Sequence, residues 1–137
     1  MKLIKLSMQS KKKDVKTFLD ELKMILQDKN FSIDTDLTLI KTRKNNDKVQ
    51  YSTPYTLLDL NYDVEDVAEQ LKELTVEEYS ETLVDKEDIN PPLLFVFGKN
   101  INNEKIYIKL KIKGEKQRHI LCVSFHYAEY IMTFPYA

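Results

Sequence analysis

The stretch KIYIKLKIK, from Lys105 to Lys113, alternates between polar and branched apolar residues. Successive side chains of a β-strand point to opposite faces of a sheet, so a period of two predicts a strand with one buried face. The buried face would carry Ile106, Ile108, Leu110 and Ile112. The opposite, open face would present a row of side chains about 7 Å apart, since alternate residues lie two rises apart: Lys105, Tyr107, Lys109, Lys111 and Lys113.

Two more strands are predicted beside this stretch. Residues 93–97 (LLFVF) are a short buried run, residues 98–104 read as a turn, and residues 119–127 (HILCVSFHY) form a strand after a second turn. Alternation on the last strand would place Leu121, Val123 and Phe125 on one face and Cys122, Ser124 and His126 on the other. Antiparallel pairing would then bring His126 close to Tyr107.

The sequence before residue 80 is typical of helices. Apolar residues that recur at steps of three and four predict a first helix from an N-cap at Ser10 to near Asn30. Good N-terminal residues predict further helices that begin at Thr53, Asp63 and Thr75, and the acidic segment 81–92 is expected to be a connection.

Helices followed by strands indicate an α+β fold, with N-terminal helices packed on one face of a C-terminal antiparallel sheet. A chain of 137 residues has the usual size of one domain. We expect residues 1–137 to form a single domain, with residues 1–50 as an N-terminal helix and basic loop extension and residues 51–137 as its core.

The composition argues against several classes of protein. Two Gly residues and the lack of a Gly-rich phosphate-binding motif argue against nucleotide-binding folds. One Cys and two His cannot close a zinc site by themselves, so we expect no metal and no other cofactor. The lone Cys favours a reducing compartment, the apolar runs are far shorter than the about 20 residues of a membrane span, and residues 1–5 are too short for a signal peptide. We therefore expect a cytoplasmic protein with no membrane partner.

The net charge of −1 is the sum of three segments of opposite sign. Residues 1–58 carry a net charge of +5, residues 59–90 carry −10 and residues 91–137 carry +4. Such segregation is typical of proteins with a polyanionic partner, but solvated protein faces produce similar patterns.

The predicted open face combines Tyr107, Lys109 and His126, which suits the cleavage of a phosphodiester. When the 2′-hydroxyl of RNA attacks the adjacent phosphorus, the site must remove a proton, stabilise an anionic phosphorane and protonate the leaving oxygen. Lysine supplies positive charge, histidine transfers protons, and tyrosine shares a proton or stacks on a base. The alternative interpretation is that the lysines are solvated surface or guard a sheet edge, and that the histidine is an ordinary hydrogen-bonded residue.

An ordered series of short matches over residues 50–127 resembles the MqsR family of toxin–antitoxin ribonucleases. The series begins with T-x-x-x-L-L-x-L-x-x-D-x-x-D-V, which starts at Thr53 and leads into a helix that ends at Leu74. It continues with TVEEY at residues 75–79, FVFGK at 95–99, IYIKL at 106–110 and CVSFH at 122–126.

The resemblance implies a RelE-like fold and an mRNA endoribonuclease that needs no metal and is inhibited by a cognate antitoxin. It implies catalytic roles for Tyr107, Lys109 and His126, the last in place of a family lysine. The positions of further lysines near this face make Lys99, Lys105 and Lys111 our candidates for RNA binding.

Two family residues have no counterpart, since a lysine expected after the short third helix falls near Ser80-Glu81 and a glutamine falls on Leu94. Two other functions therefore stay open: a non-catalytic RNA- or protein-binding module on the same fold, and a ribosome-dependent mRNA nuclease.

Overall fold

The computed structural model describes residues 6–42 and 48–137, so that residues 43–47 of the expected basic loop lie outside the described residues. Its helices are α1 (Lys12–Gln27), α2 (Ile33–Asp36), α3 (Thr53–Leu60) and α4 (Val64–Lys72). Its strands are β1 (Ser7–Met8), β2 (Leu37–Leu39), β3 (Tyr79–Val84), β4 (Leu93–Ile101), β5 (Glu104–Lys113) and β6 (His119–Tyr127). Within these ranges no helix is long and apolar enough to cross a membrane.

The fold is α+β, and its strands form one sheet in the order β1-β3-β4-β5-β6-β2. Neighbouring strands are antiparallel except β2 and β6, so the expected antiparallel sheet is in fact mixed. Residues 6–42 supply both edge strands as well as α1, and therefore take part in the sheet and its core. The edge strands have two and three residues, which is too short for a hydrophobic period to be recognised in the sequence.

The helices pack on one face of the sheet, as the sequence predicts. The apolar stripe of α1 is buried there, and the Phe18 ring stacks on Phe95 of β4 with 4.2 Å between ring centroids. The helix begins later than expected, because Lys11 rather than Ser10 is its N-cap. Ser10 is instead bound to β3: its N–H donates to the Tyr79 hydroxyl over 2.8 Å, and its hydroxyl lies 2.6 Å from that of Thr82.

The segment 81–92, expected as an acidic connection, begins inside strand β3. An irregularity between Tyr79 and Glu81 shifts its register against β4. As a result Tyr79 and Thr82 face the helices, whereas Leu83 joins a separate small apolar cluster on the other side of the sheet. The irregularity breaks the period of two, which is why alternation in the sequence did not reveal this strand.

The turn between β4 and β5 is much shorter than the expected 98–104. It consists of Asn102 and Asn103, whose φ angles of 52° and 66° are both left-handed. Two such residues form the turn that matches the twist of a hairpin, and asparagine tolerates this backbone conformation better than most residues. Both strands therefore run to the turn, which places Gly98 directly opposite Tyr107.

A β-bulge in β6 changes the predicted faces of that strand. Its register against β5 shifts between the pairs Lys109–Ser124 and Leu110–Cys122, which leaves Val123 as the extra residue. Cys122 and Phe125 consequently both face the helices, although simple alternation had put them on opposite faces. We call the side of the sheet away from the helices the outer face.

Candidate functional site

The centre of the outer face is a stacked pair of rings. Tyr107 of β5 lies directly opposite His126 of β6 in the antiparallel ladder, as expected from the sequence. The two rings are almost parallel, at 13°, with 5.1 Å between their centroids. Directly opposed residues on neighbouring strands are the closest side-chain pairs in a sheet, so the strand pairing itself holds the two rings together.

The histidine ring of this pair is oriented by the backbone. Its Nδ1 lies 2.9 Å from the carbonyl oxygen of Tyr127. Because a carbonyl oxygen can only accept, Nδ1 carries a proton in this arrangement. In the neutral imidazole Nε2 is then the basic nitrogen, and it is the atom of His126 that can exchange a proton with a substrate.

The tyrosine of the pair is held in its neutral form. Burial, and next the negative charge of Glu81, raise the pKa of the Tyr107 phenol to about 12. At neutral pH the phenol is therefore a hydrogen-bond donor, and it cannot act as a base.

A cross-strand row next to this pair contains two polar residues that sequence analysis had not selected. Glu81 of β3 is opposite Val96, Val96 is opposite Lys109, and Lys109 is opposite Ser124. The Glu81 carboxylate accepts a hydrogen bond from the Ser7 hydroxyl over 2.7 Å. Alternation places Ser124 on the same face as His126, whereas the row with Glu81 became visible only once β3 was in place.

Lys105 lies on the other side of Tyr107, beside the last residues of the chain. Its ammonium is 4.6 Å from the centre of the Phe134 ring, in a cation–π contact. Phe134 also lies on Gly98: a Cβ placed on that glycine would be 2.7 Å from the ring. The C-terminal tail, residues 128–137, therefore covers part of a face that was predicted to be open.

Lys111 is not an RNA-binding residue in this structure. Its side chain is only 1% exposed, and its ammonium lies 2.7 Å from the Asp85 carboxylate. It also donates to the backbone oxygens of Asp88 and Pro91, over 2.9 and 3.1 Å. The residues between β3 and β4 enclose this cation, so the expectation that Lys111 meets RNA is corrected: its role is to fasten that loop to the sheet.

Lys99 lies on the wrong side of the sheet for the proposed role. It is opposite Ile106, a residue of the helix-facing core, whereas its neighbour Gly98 is opposite Tyr107. The Lys99 ammonium lies 3.5 Å from the Glu78 carboxylate and 3.4 Å from the backbone oxygen of Glu73. The expectation that Lys99 supplies charge beside the stacked pair is therefore corrected as well.

The other histidine and the cysteine have structural surroundings. The ring nitrogens of His119 lie 2.8 Å from the Thr38 hydroxyl and 3.0 Å from the Thr35 carbonyl oxygen, contacts that join β6 to the α2–β2 segment. Burial raises the pKa of the Cys122 thiol to about 12, which makes it unreactive at neutral pH. Within residues 6–42 and 48–137, no three His, Cys, Asp or Glu side chains are grouped as metal ligands.

Comparison of the chain with protein-family models, with curated proteins and with solved structures finds no significant match. The resemblance to the MqsR family and the RelE-like fold that it implies stay predictions of the sequence.

Proposed function

We propose that this protein is a toxin-type endoribonuclease that cleaves mRNA through attack by the RNA's own 2′-hydroxyl, without a metal ion. The observation that carries the proposal is the stacked pair of Tyr107 and His126, with Lys109 in the next row of the same face. A proton-transfer group, a neutral donor and a cation within two rows of one sheet face are the groups that this reaction requires.

Each residue has a separate task in the proposed reaction. Nε2 of His126 takes the proton of the attacking 2′-hydroxyl or gives one to the departing 5′-oxygen, since Nδ1 is held by the Tyr127 carbonyl. The neutral phenol of Tyr107 donates a hydrogen bond to a non-bridging phosphate oxygen, and Lys109 stabilises the charge that builds up on the phosphorane. The products are a 2′,3′-cyclic phosphate and a free 5′-hydroxyl, so atoms and protons balance without another reactant.

The position of the positive charge also supports an RNA substrate. Lys105 and Lys109 flank Tyr107 along β5 on the outer face, and the Lys105 ammonium lies over the Phe134 ring, whereas the Lys111 ammonium is enclosed by the loop 85–92. In line with the family resemblance, we further propose a RelE-like fold, a cytoplasmic location and inhibition by an antitoxin protein. Helices on one face of the antiparallel strands β3 to β6 support the proposed fold.

The test is cleavage of a defined RNA in excess EDTA by the wild type, by His126→Ala and by His119→Ala. We expect the wild type to cut the RNA and His126→Ala to be slower by about a hundredfold to ten-thousandfold, the usual range for loss of a general acid–base group. His119→Ala is the matched control, since it removes the other histidine of β6 and should cut at a rate close to that of the wild type.

A substrate with a 2′-deoxy sugar at the cleaved position should stay intact, because it has no attacking hydroxyl. If His126→Ala cuts as fast as the wild type, the assigned site is wrong. Salt-dependent RNA binding with no product would instead indicate a binding module, and cleavage only with translating ribosomes would indicate a ribosome-dependent nuclease.

A further inference from the structure

The C-terminal tail is an extended segment with one inward side. Met132, Phe134 and Tyr136 are half-buried, and the residues between them are exposed. Met132 packs in the outer-face cluster that includes Val96 and Tyr107. Exposed and half-buried residues alternate from Ile131 to Ala137, so every second side chain of the tail packs against the protein.

The tail reaches the backbone immediately beside the stacked pair. Gly98 is the residue opposite Tyr107 on β4, and a Cβ at this position would lie 2.7 Å from Phe134 and 2.9 Å from the Met132 sulfur. Real Cβ atoms do not approach other atoms so closely, so the tail occupies the space that any other side chain at position 98 would fill. An RNA strand that reached Tyr107 from this side would meet Met132 and Phe134 first.

The tail also contacts Lys105, one of the two lysines that flank Tyr107. The Lys105 ammonium lies over the Phe134 ring, and the same ring lies on Gly98. Phosphate binding by Lys105 competes with this cation–π contact, which is a weak interaction near the protein surface.

The contacts that hold the tail are few and reversible. Tyr136 donates to the Ser10 carbonyl over 2.6 Å and stacks on Tyr79 at 5.8 Å, and its hydroxyl accepts from Gln9. No residue of the tail belongs to a strand of the sheet. At its start the tail is fixed by the Ala128 N–H, which donates to the Lys105 carbonyl oxygen over 2.9 Å, and by the ion pair of Glu129 with Lys48 at 3.3 Å. From Tyr130 onward it is held by side chains without a ladder of backbone hydrogen bonds, so this part can detach without unfolding the sheet.

We propose that the C-terminal tail is an autoinhibitory strap that lies across the RNA path and must lift before RNA reaches Tyr107 and Lys105. This inference rests on the proposed function, because it concerns regulation of the same site. RNA and the tail compete for one surface, so weakening the tail raises the fraction of molecules that can bind RNA. The apparent affinity for a ligand falls in proportion to that fraction: a site open one-tenth of the time binds about tenfold more weakly than a permanently open one.

The experiment compares two double variants of the same tail. Met132→Ser with Phe134→Ser removes both side chains that lie on Gly98, whereas the control, Tyr130→Ser with Ile131→Ser, removes two side chains that are 78% and 99% exposed. RNA cleavage is measured with these variants, and RNA binding is measured by fluorescence anisotropy with both pairs placed in a His126→Ala background. Circular dichroism and thermal unfolding confirm that each variant keeps its fold.

We call Met132→Ser with Phe134→Ser the inward variant, and Tyr130→Ser with Ile131→Ser the outward variant. We expect the inward variant to bind RNA about tenfold more tightly and to cleave it faster, and the outward variant to match the wild type. A second variant, Gly98→Ala, displaces the tail from the strand side and should also make RNA binding tighter.

Tighter binding by the inward variant without cleavage by any form supports the strap and overturns the nuclease. Unchanged or weaker binding by a folded inward variant overturns the strap, while wild-type cleavage that depends on His126 leaves the nuclease standing. If no variant binds RNA, both are overturned.

Discussion

The two ends of strand β5 present the same residue type on the same face and have opposite surroundings. At one end Lys111 and Lys113 are paired with Asp85 and Asp88 of the loop between β3 and β4. At the other end Lys105 and Lys109 flank the ring pair of Tyr107, where the apolar tail rather than a carboxylate loop lies on the sheet. A row of lysines on one strand is therefore divided by what packs over it into a structural half and a candidate functional half.

The same division explains the charge segregation along the chain. The acidic segment 59–90 supplies Glu78 to Lys99, and Asp85 and Asp88 to Lys111 and Lys113. Much of the alternation of basic and acidic segments is thus complementarity within the protein. At the Tyr107 end of β5, by contrast, Lys105 lies over an aromatic ring.

Replacing Lys111 by Met should have the largest effect on stability. A small effect would contradict the assignment of Lys111 to the structural half of β5. The change leaves the Asp85 carboxylate and two backbone oxygens without their cation, and breaking a buried pair in this way usually costs about 3 kcal/mol. Urea unfolding measures the loss, with Lys116→Met in the exposed turn as the control. An unchanged free energy of unfolding would show that Lys111 does not fasten the loop.

Tyr107→Phe should change the stability at alkaline pH. The pKa of this phenol is raised, mainly by burial, from 10.0 to about 12, so the folded state keeps a proton that the unfolded chain loses above pH 10. The stability from the raised pKa is complete below pH 10 and is lost as the pH rises through 12, which amounts to about 2 kcal/mol.

Unfolding measured between pH 9 and 12 should therefore show a shallower decline for Tyr107→Phe than for the wild type. The control is Tyr130→Phe, which removes a phenol that is 78% exposed. Identical alkaline slopes for the wild type and Tyr107→Phe would mean that burial does not raise the pKa of Tyr107.

Lys109→Gln tests the functional half of the strand. If Lys109 meets an RNA phosphate, its loss should weaken RNA binding by about tenfold and reduce the slope of log affinity against log salt by about 0.7. Lys111→Gln, assayed in conditions where it stays folded, should leave that slope unchanged because its ammonium is already enclosed. Equal slopes for all three proteins would remove Lys109 from the interface.

Asp88→Asn should have the smallest effect and one confined to acid. The hydrogen bond from Lys113, followed by that from the Asn90 N–H, lowers the pKa of the Asp88 carboxyl to about 2. The stability from this lowered pKa is present above the ordinary value of 3.8 and is lost as the pH falls toward 2. Acid titrations followed by circular dichroism should show a less steep loss for Asp88→Asn, and a profile identical to that of the wild type would contradict the pairing with Lys113.

Alternation and capping in the sequence predicted the parts of the fold that depend on local periodicity. Strands β5 and β6, the N-cap of α4 at Asp63, and the position of His126 opposite Tyr107 all follow from such patterns. Strand β3 and the inward position of Cys122 were not predictable, because each depends on a one-residue irregularity whose cost and benefit are set by strand pairing.

The sequence by itself determined that β5 carries lysines and a tyrosine on one face and that a histidine joins them, since side-chain alternation is a local property of the extended backbone. Only the tertiary structure decided which of those lysines are enclosed or covered. The loop 85–92 encloses Lys111, Lys99 turns to the helix side, and the tail lies on Gly98 and Lys105. Burial and ion pairing join residues that are far apart in the chain, and no local pattern records them.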